Sequence, residues 1–295
     1  MQIESLKVFA GLVETESFTK AAQINKVTQS AVSQQIASME RNFQTLLVER
    51  SKKYFRLTRE GQAAYQCAKQ ISQSFASLQN TMQETKNTIS GSIQVATAYS
   101  IGLHELPAYV KKFLQTYPTV NVHVEYLHPT KVYEDVLENA VDLGLVACPE
   151  KRPGLEIVPL HKYEMVLICH PQHPWAKKTS IPVQELAKQK LVSFDADITI
   201  RKAIDKGFNR AGISVEHVME FDNIETIKRA VEIEAGIAIV PHSTVLQEVA
   251  DKTLVEVKLE GVDLDCPWAA IYKKNKVLSP AMQQFITLLE EPPPV

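Results

Sequence analysis

The stretch from Phe18 to Ile36, FTKAAQINKVTQSAVSQQI, limits the fold of this chain more than any other. It contains two short helical patterns that are separated by a break at residues 24–27. Its apolar side chains recur so that all of them can face one small core, and they are Phe18, Ala22, Val27, Val32 and Ile36. Two short helices that share a core across such a break are typical of a helix-turn-helix.

The second helix of this pair has a predicted start and two different faces. Thr28 can cap the free N–H groups of its first turn, and Val32, Ile36 and Met39 then point inward at helical spacing. The opposite face carries short polar groups that can donate and accept hydrogen bonds at base edges, namely Gln29, Ser30, Ser33 and Gln34. With Thr28, these form the predicted DNA-contacting set. The alternative is an ordinary solvated helix face.

The flanking segments favour a nucleic-acid partner. A first helix is predicted from apolar positions between Ile3 and Val13, and two short strands are predicted at residues 46–50 and 54–57, which gives a winged hairpin. Phosphate contacts are expected from the basic residues of that hairpin, which are Arg50, Lys52, Lys53 and Arg56. Any one of them could be a solvated surface residue, so their clustering beside the helix pair carries the prediction.

The segments FAGLVETESFTKAA, VTQSAVSQQIASMER and LVERSKKYFRLTREG together closely resemble the DNA-binding domain of LysR-type transcriptional regulators. The resemblance implies an α/β protein with a winged helix-turn-helix, a long linker helix and a two-lobed effector domain of the periplasmic-binding-protein (type 2) kind. It also implies double-stranded DNA with an interrupted dyad site, self-association into a dimer and a homotetramer, a small-molecule effector, and RNA polymerase as partners. Many members have proline where this chain has Ser30, and arginine where it has Gln34, which leaves the preferred bases open.

The rest of the chain fits three expected domains. Residues 1–58 form the winged domain, and residues 59–90 form a linker helix and hinge. Residues 91–295 form the effector domain, with lobe I at about 91–161 and 267–295 and lobe II at about 162–266. The linker has a narrow apolar stripe from Ala64 to Met82 of the coiled-coil type. This stripe predicts pairing with a second copy, and the alternative is packing on its own domain.

Alternating strand and helix patterns from Ile93 onward predict parallel sheets, in which ligands gather at the carboxyl ends of strands. The predicted effector contacts follow two such strands, and they are Thr97, Ala98, Tyr99, Ser100, Ile101, Phe194, Asp195 and Thr199. An anion is one candidate, because helix N-termini offer free N–H groups. Asp195 and Asp197 could instead cap a helix or favour an amine or hydroxyl. Arg201 and His242 are further candidates.

Charge is divided unevenly along the chain. Residues 1–90 hold 11 Lys and Arg against 7 Glu and no Asp, whereas the remainder holds 21 against 27. The basic end is expected to meet nucleic acid. No apolar run approaches the roughly 20 residues of a spanning helix, and no signal peptide is evident, so we expect no membrane partner and a cytoplasmic location of the bacterial type.

Enzyme and metal chemistry find little support in the sequence. There is no GxSxG, P-loop, HExxH or Rossmann glycine pattern, so we predict no catalytic residues, no cofactor and no enzyme activity. His170 and His173, in HPQHPW, have a spacing that could hold a metal, but no third ligand is evident and no metal is predicted. The four cysteines have no ligand or CxxC spacing, so free thiols are expected and a redox pair is not.

One alternative from another class stays open at this point. The chain could be a small-molecule binding protein whose N-terminal region contacts another protein. The basic hairpin beside a polar helix face argues against it, because a protein-binding helix normally has an exposed apolar stripe.

Overall fold

The computed structural model describes residues 2–50, 55–84, 89–264 and 266–293. For Arg50 and for part of the helix Arg59–Glu84, it describes the backbone alone. These residues form two compact units, one within residues 1–88, with the short segment 138–140 grouped with it, and one that comprises the remainder from residue 89. Each unit has its own apolar core.

The N-terminal unit is a winged helix-turn-helix followed by a long helix. Its elements are α1 (Ile3–Thr15), α2 (Phe18–Ile24), α3 (Gln29–Phe43), β1 (Val48–Arg50), β2 (Phe55–Leu57) and α4 (Arg59–Glu84). Phe9, Leu12, Val32, Ile36 and Leu47 are almost fully buried and bring α1, α3 and the start of the wing together. The predicted helix pair and hairpin are confirmed.

One predicted core residue lies at the surface. Val27 is 37% exposed, and its N–H donates to Ala22 while the N–H of Lys26 donates to Gln23. Lys26 adopts a left-handed conformation with φ of 54°. Because the turn is closed by these backbone bonds, Val27 faces away from the core that Val32 and Ile36 fill.

The C-terminal unit is a two-lobed α/β structure. Its first stretch contains β3 (Gly91–Thr97), α5 (Tyr99–His104), α6 (Leu106–Thr116), β4 (Val120–Tyr126), α7 (Pro129–Leu137), β5 (Leu143–Ala147) and β6 (Leu155–Tyr163). The middle stretch contains β7 (Met165–Cys169), β8 (Ser180–Pro182), β9 (Lys190–Phe194), α8 (Thr199–Ala211), β10 (Glu216–Phe221), α9 (Ile224–Glu232), β11 (Ala238–Pro241), α10 (Leu246–Ala250) and β12 (Val255–Glu260). The last stretch contains β13 (Cys266–Lys273) and α11 (Pro280–Glu290).

Lobe I is built on a sheet with the strand order β4-β3-β5-β13-β6, and β13 returns to it after the chain has formed lobe II. β3 is parallel to β4 and β5, whereas β13 is antiparallel to β5 and β6. Lobe II contains the sheet β11-β7-β12-β8 and the parallel pair β9 and β10, which are joined by a bridge between Leu191 and Ile237. One apolar cluster extends across both lobes.

Two local predictions for this unit were wrong. The helix predicted at residues 103–114 is two helices that meet at Glu105, where Pro107 lies in the first turn of α6. β6 was not predicted, because Pro159 interrupts its pattern. The strand lies at the edge of its sheet, which is where a strand can accommodate proline.

Candidate functional site

The exposed face of α3 is held in place by caps and by the core. Ser17 accepts a hydrogen bond from the N–H of Lys20 and caps α2, and Thr28 accepts from the N–H of Ala31 and caps α3. Such a cap stabilises a helix by about 1 kcal/mol. The two caps therefore fix the residues at which α2 and α3 begin.

Most of the predicted base-reading residues share the surface of α3. Gln29, Ser30 and Gln34 are exposed and Ser33 is half-buried, while Val32 on the opposite side is fully buried. The hydroxyl groups of Thr28 and Ser30 lie 2.9 Å apart and share a hydrogen bond. The polar set thus occupies one continuous face, with two of its hydroxyls already engaged with each other.

The wing carries only part of the predicted basic cluster within the described residues. β1 and β2 are antiparallel, and Glu49 lies opposite Arg56, whose side chain is exposed. The backbone of Arg50 pairs with Phe55, but its side chain, like Lys52 and Lys53, lies outside the described residues.

The wing is joined firmly to the start of α4. The hydroxyl of Thr58 donates to the carbonyl oxygen of Leu46 and accepts from the N–H of Gly61. A Cβ at Gly61 would clash with the carbonyl oxygen of Leu47. Only glycine permits this close approach, so α4 begins at a fixed position against the wing.

The second candidate site is the cleft between the lobes. α5 begins after Ala98 and α8 begins after Ile198, and neither helix has a side-chain cap. The cleft is lined by residues that end or follow five strands of the two lobes, namely Ala98, Tyr99, Ser100, Pro129, Ala147, Phe194, Ile198, Thr199, Ile200, Asp222 and Ile224. The first-turn N–H groups of both helices therefore open toward the same space.

Five of the eight predicted effector residues line this cleft: Ala98, Tyr99, Ser100, Phe194 and Thr199. The other three lie close by. Thr97 is fully buried and its hydroxyl donates to the carbonyl oxygen of Ala98, and Ile101 is buried in the core. Asp195 is half-buried, and its pKa is raised by burial and then by the charges of Asp222, Asp197 and Glu220.

Polar contacts at the cleft and beside it join the two lobes. The hydroxyl of Thr199 donates to the carbonyl oxygen of Ala147, and Lys202 Nζ lies 2.8 Å from Glu150 Oε1. The free space in the cleft is about 20 Å³, which is room for roughly one water molecule. A larger ligand therefore requires the lobes to move apart.

The two weaker candidates have structural partners. Arg201 is 7% exposed and binds the carboxylates of Asp205 and Glu220 and the carbonyl oxygen of Phe194. His242 Nδ1 lies 2.7 Å from Glu256 Oε2.

Two cysteines do not behave as the sequence predicted. Cys148, which follows β5, and Cys266, which begins β13, form a disulfide with their Cα atoms 4.8 Å apart. The expectation of free thiols is wrong for this pair, because the neighbouring antiparallel strands bring together residues 118 positions apart. Cys67 and Cys169 are free, and burial raises the pKa of the Cys169 thiol to about 11.

The histidine motif gathers no metal ligands in the described part of the chain. His173 Nδ1 accepts from the N–H of Trp175, and burial lowers the pKa of His173, opposed by a hydrogen bond with Gln189. No group of three or more His, Cys, Asp or Glu side chains among the described residues is arranged to hold a metal ion. Within the same residues, no helix has the length and apolar character to cross a membrane.

Comparison with known proteins relates both sites to one family. Residues 3–62 match the family described as "Bacterial regulatory helix-turn-helix protein, lysR family", and residues 86–292 match "LysR substrate binding domain". A probable RuBisCO transcriptional regulator of Cyanidioschyzon merolae is 29% identical over 289 residues, which are 96% of this chain and 95% of that protein.

Two solved structures have the same fold. Full-length CbnR in complex with its target DNA has a TM-score of 0.74 at 21% identity and covers 98% of this chain and 99% of CbnR. The regulatory domain of Synechocystis PCC6803 CcmR in complex with 2-PG has a TM-score of 0.62 at 23% identity and covers 68% of this chain and 95% of that domain. The chain belongs to the LysR family, as a DNA-binding transcriptional regulator with an effector-binding domain rather than an enzyme.

Proposed function

We propose that the polar face of α3 reads bases in the major groove, while the wing holds the DNA backbone. The base-reading residues are Gln29, Ser30, Ser33 and Gln34, with Thr28 beside them. The phosphate-binding residues are Arg50, Lys52, Lys53 and Arg56. The observation that carries this assignment is the contrast between the buried Val32, Ile36 and Met39 and the exposed Gln29, Ser30 and Gln34 on the other side of the same helix.

The test is a selection of bound duplexes from a random pool, followed by affinity measurements against a scrambled duplex at several salt concentrations. We expect an enriched dyad site that is bound at least ~10³-fold above the scrambled control. Weak binding without an enriched site, lost as salt rises, would contradict sequence-specific reading.

We also propose that the protein dimerises through the second half of α4. The first half packs on its own domain, because Ala68 is fully buried and Ala64 and Tyr65 pack on the same core. Farther along, Ile71 is 44% exposed and Leu78 is 52% exposed. Two apolar side chains seven residues apart form a coiled-coil seam, so a second copy of the helix would cover them. The expected domain bounds at 58 and 90 stay part of this proposal.

The full-length Ile71→Glu/Leu78→Glu variant tests the dimer. We expect a lower mass in analytical ultracentrifugation and loss of the wild type's preference for a dyad site over its half-site. Gln62→Ala on the exposed side of α4 is the control. An unchanged mass would refute the seam. We also propose that two such dimers associate into a tetramer and that the protein contacts RNA polymerase.

In the C-terminal unit, we propose that a small-molecule effector binds in the cleft between α5 and α8. Its polar contacts would be the hydroxyls of Ser100 and Thr199, both at least nine-tenths buried, and the free N–H groups of the two helix starts. Phe194 and Tyr99 would supply apolar surface, and Thr97, Ala98, Ile101 and Asp195 would shape the walls. The ligand-bound regulatory domain of CcmR, which shares this fold, supports a small ligand.

The charges around the cleft narrow the effector's chemistry. Helix N-termini favour an anionic group, whereas Asp195, Asp197 and Asp222 at the cleft disfavour a ligand that is negative throughout. We therefore propose a molecule with one carboxylate or phosphate group and with hydroxyl or amine groups at its other end.

Binding would act by changing the balance between lobe arrangements. A ligand must break or replace the hydrogen bond between Thr199 and Ala147, and it can shift the equilibrium only by its difference in affinity for the two arrangements.

A thermal-shift screen of hydroxy acids, amino acids and sugar phosphates on the full-length protein tests the cleft. A hit should lose affinity at least about tenfold in Ser100→Ala and keep it in Ser92→Ala, which lies on the exposed part of β3. Equal binding to both variants would place the ligand elsewhere.

A further inference from the structure

A second recess runs along α8 and meets the cleft at Thr199. Lys202, Lys206 and Arg210 follow one another at intervals of four residues, so their side chains share one face of the helix about 6 Å apart. The recess has a volume of about 320 Å³, and its opposite walls are Cys148, Pro149 and Glu150 of lobe I and Asp263 and Pro267 of the segment that returns to lobe I. It therefore touches both lobes and the connection between them.

Close packing fixes the position of these walls. Gly207 lies between Lys206 and Arg210 on α8, and a Cβ there would lie 2.5 Å from the side chain of Leu264. The returning segment is thus pressed against the helix beside the two cations. On the lobe I side, the disulfide between Cys148 and Cys266 holds the wall to β13.

The charged side chains of the recess differ in whether they form ion pairs among the described residues. Glu150 binds Lys202 at 2.8 Å and Arg152 at 3.0 Å, and these hydrogen bonds lower the pKa of its carboxyl. Among the described residues, neither Lys206 nor Arg210 has a carboxylate within ion-pair distance, although both line the same space. Asp263 is an exposed carboxylate at the rim of that space.

We propose that this recess is a second ligand site, which binds a small molecule with a phosphate or carboxylate group. Arg210 and Lys206 would hold the anionic group, since a guanidinium can donate two parallel hydrogen bonds to it. Asp263 would accept a hydrogen bond from a hydroxyl of the same molecule. The volume lies within the range of small-molecule sites.

This site is separate from the cleft. The two share Thr199 at their boundary, and the hydroxyl of Thr199 is turned to the carbonyl oxygen of Ala147. Because the recess is formed by both lobes, a ligand there would stabilise the arrangement in which Lys202 reaches Glu150. It would oppose the opening that the cleft requires, which gives the regulator a second small-molecule input.

The test uses inorganic phosphate as the probe and calorimetric titration of the full-length protein at constant ionic strength. The Lys206→Ala/Arg210→Ala variant should bind phosphate at least about tenfold more weakly than the wild type. The Lys177→Ala/Lys258→Ala variant loses the same charge from exposed positions elsewhere in lobe II, and it should bind as the wild type does.

Two more variants distinguish binding in the recess from misfolding and from binding in the cleft. Asp263→Asn removes the opposing carboxylate and should tighten phosphate binding several-fold, a gain that misfolding cannot produce. Ser100→Leu fills the cleft and should leave phosphate binding unchanged. The proposal is overturned if the wild type does not bind phosphate, if both double variants lose binding equally, or if Ser100→Leu alone abolishes it.

Discussion

His104 Nε2 lies 2.8 Å from Glu225 Oε1 and thereby connects α5 of lobe I to α9 of lobe II. The same carboxylate oxygen lies 2.9 Å from Lys228 Nζ, which lies 2.7 Å from Glu248 Oε1. The Lys228 side chain is 4% exposed and also donates to the carbonyl oxygen of Thr244. The contact between the lobes is therefore anchored on an ion network around the buried Lys228 of lobe II.

The Glu225 carboxylate should make stability depend on pH. Burial acts to raise its pKa, but hydrogen bonds from Lys228 and His104 outweigh burial, so the pKa lies below its ordinary value. The ionised group therefore stabilises the fold above the ordinary pKa, and this contribution is lost as the pH falls through the lowered value. In urea unfolding, Glu225→Gln should be less stable than the wild type at neutral pH, and the gap should narrow in acid. A gap that stays constant with pH, or one matched by the exposed Glu216→Gln, would contradict this.

Removing the buried lysine should be costly. Lys228→Met leaves Glu225 and Glu248 without their cation, and breaking such a buried pair costs about 3–5 kcal/mol in the free energy of unfolding. The exposed Lys258→Met should change this free energy by less than about 0.5 kcal/mol. Chemical denaturation compares the two variants, and similar values would show that the network contributes little.

The disulfide should stabilise the effector domain. It closes a loop between residues 118 positions apart, and the loss of chain entropy in the unfolded state amounts to as much as about 5 kcal/mol. A reducing agent should therefore lower the melting temperature of the wild type to that of Cys266→Ser. Cys67→Ser should keep the full response to reduction, and a wild type that does not respond would refute the prediction.

The two groups of DNA-contacting residues should differ in their effects. Gln29→Ala and Ser33→Ala should each weaken binding to the selected site by about 1–3 kcal/mol with little effect on random DNA. Arg56→Ala should weaken both and reduce the salt slope by about one. Fluorescence anisotropy at several salt concentrations measures both quantities, with Gln23→Ala on the exposed side of α2 as control. If all three variants lose the same affinity for the selected site as for random DNA, the two groups of residues do not have different roles.

Gly61 should be essential for the join between the wing and α4. A Cβ there would clash with the carbonyl oxygen of Leu47, so Gly61→Ala must move the backbone at a cost of about 1–3 kcal/mol. The variant should unfold at a lower temperature and bind DNA more weakly than Gln62→Ala, which changes the adjacent exposed position. Equal melting temperatures would show that the wing can shift freely.

The sequence predicted the elements that depend on local patterns. The prediction for α3 was correct both for its cap at Thr28 and for its buried side, because a single periodicity specifies both. The prediction that Val27 faces the core was wrong, because the left-handed conformation of Lys26 turns Val27 outward. The cleft was predicted only from the loops after two strands. Pro129, Ala147 and Asp222 come from three other segments, and the pairing of Cys148 with Cys266 depends on strand order, which no local pattern shows.

The position of β13 also has a consequence for synthesis on the ribosome. β13 lies between β5 and β6, and among the described strands β6 pairs only with β13. Until Cys266 and the residues after it have been translated, β5 keeps an open edge and β6 has no partner. The nascent effector domain thus exposes strand edges until nearly the whole chain has been made, whereas the N-terminal unit can fold early. Fragments that stop before residue 266 are expected to aggregate.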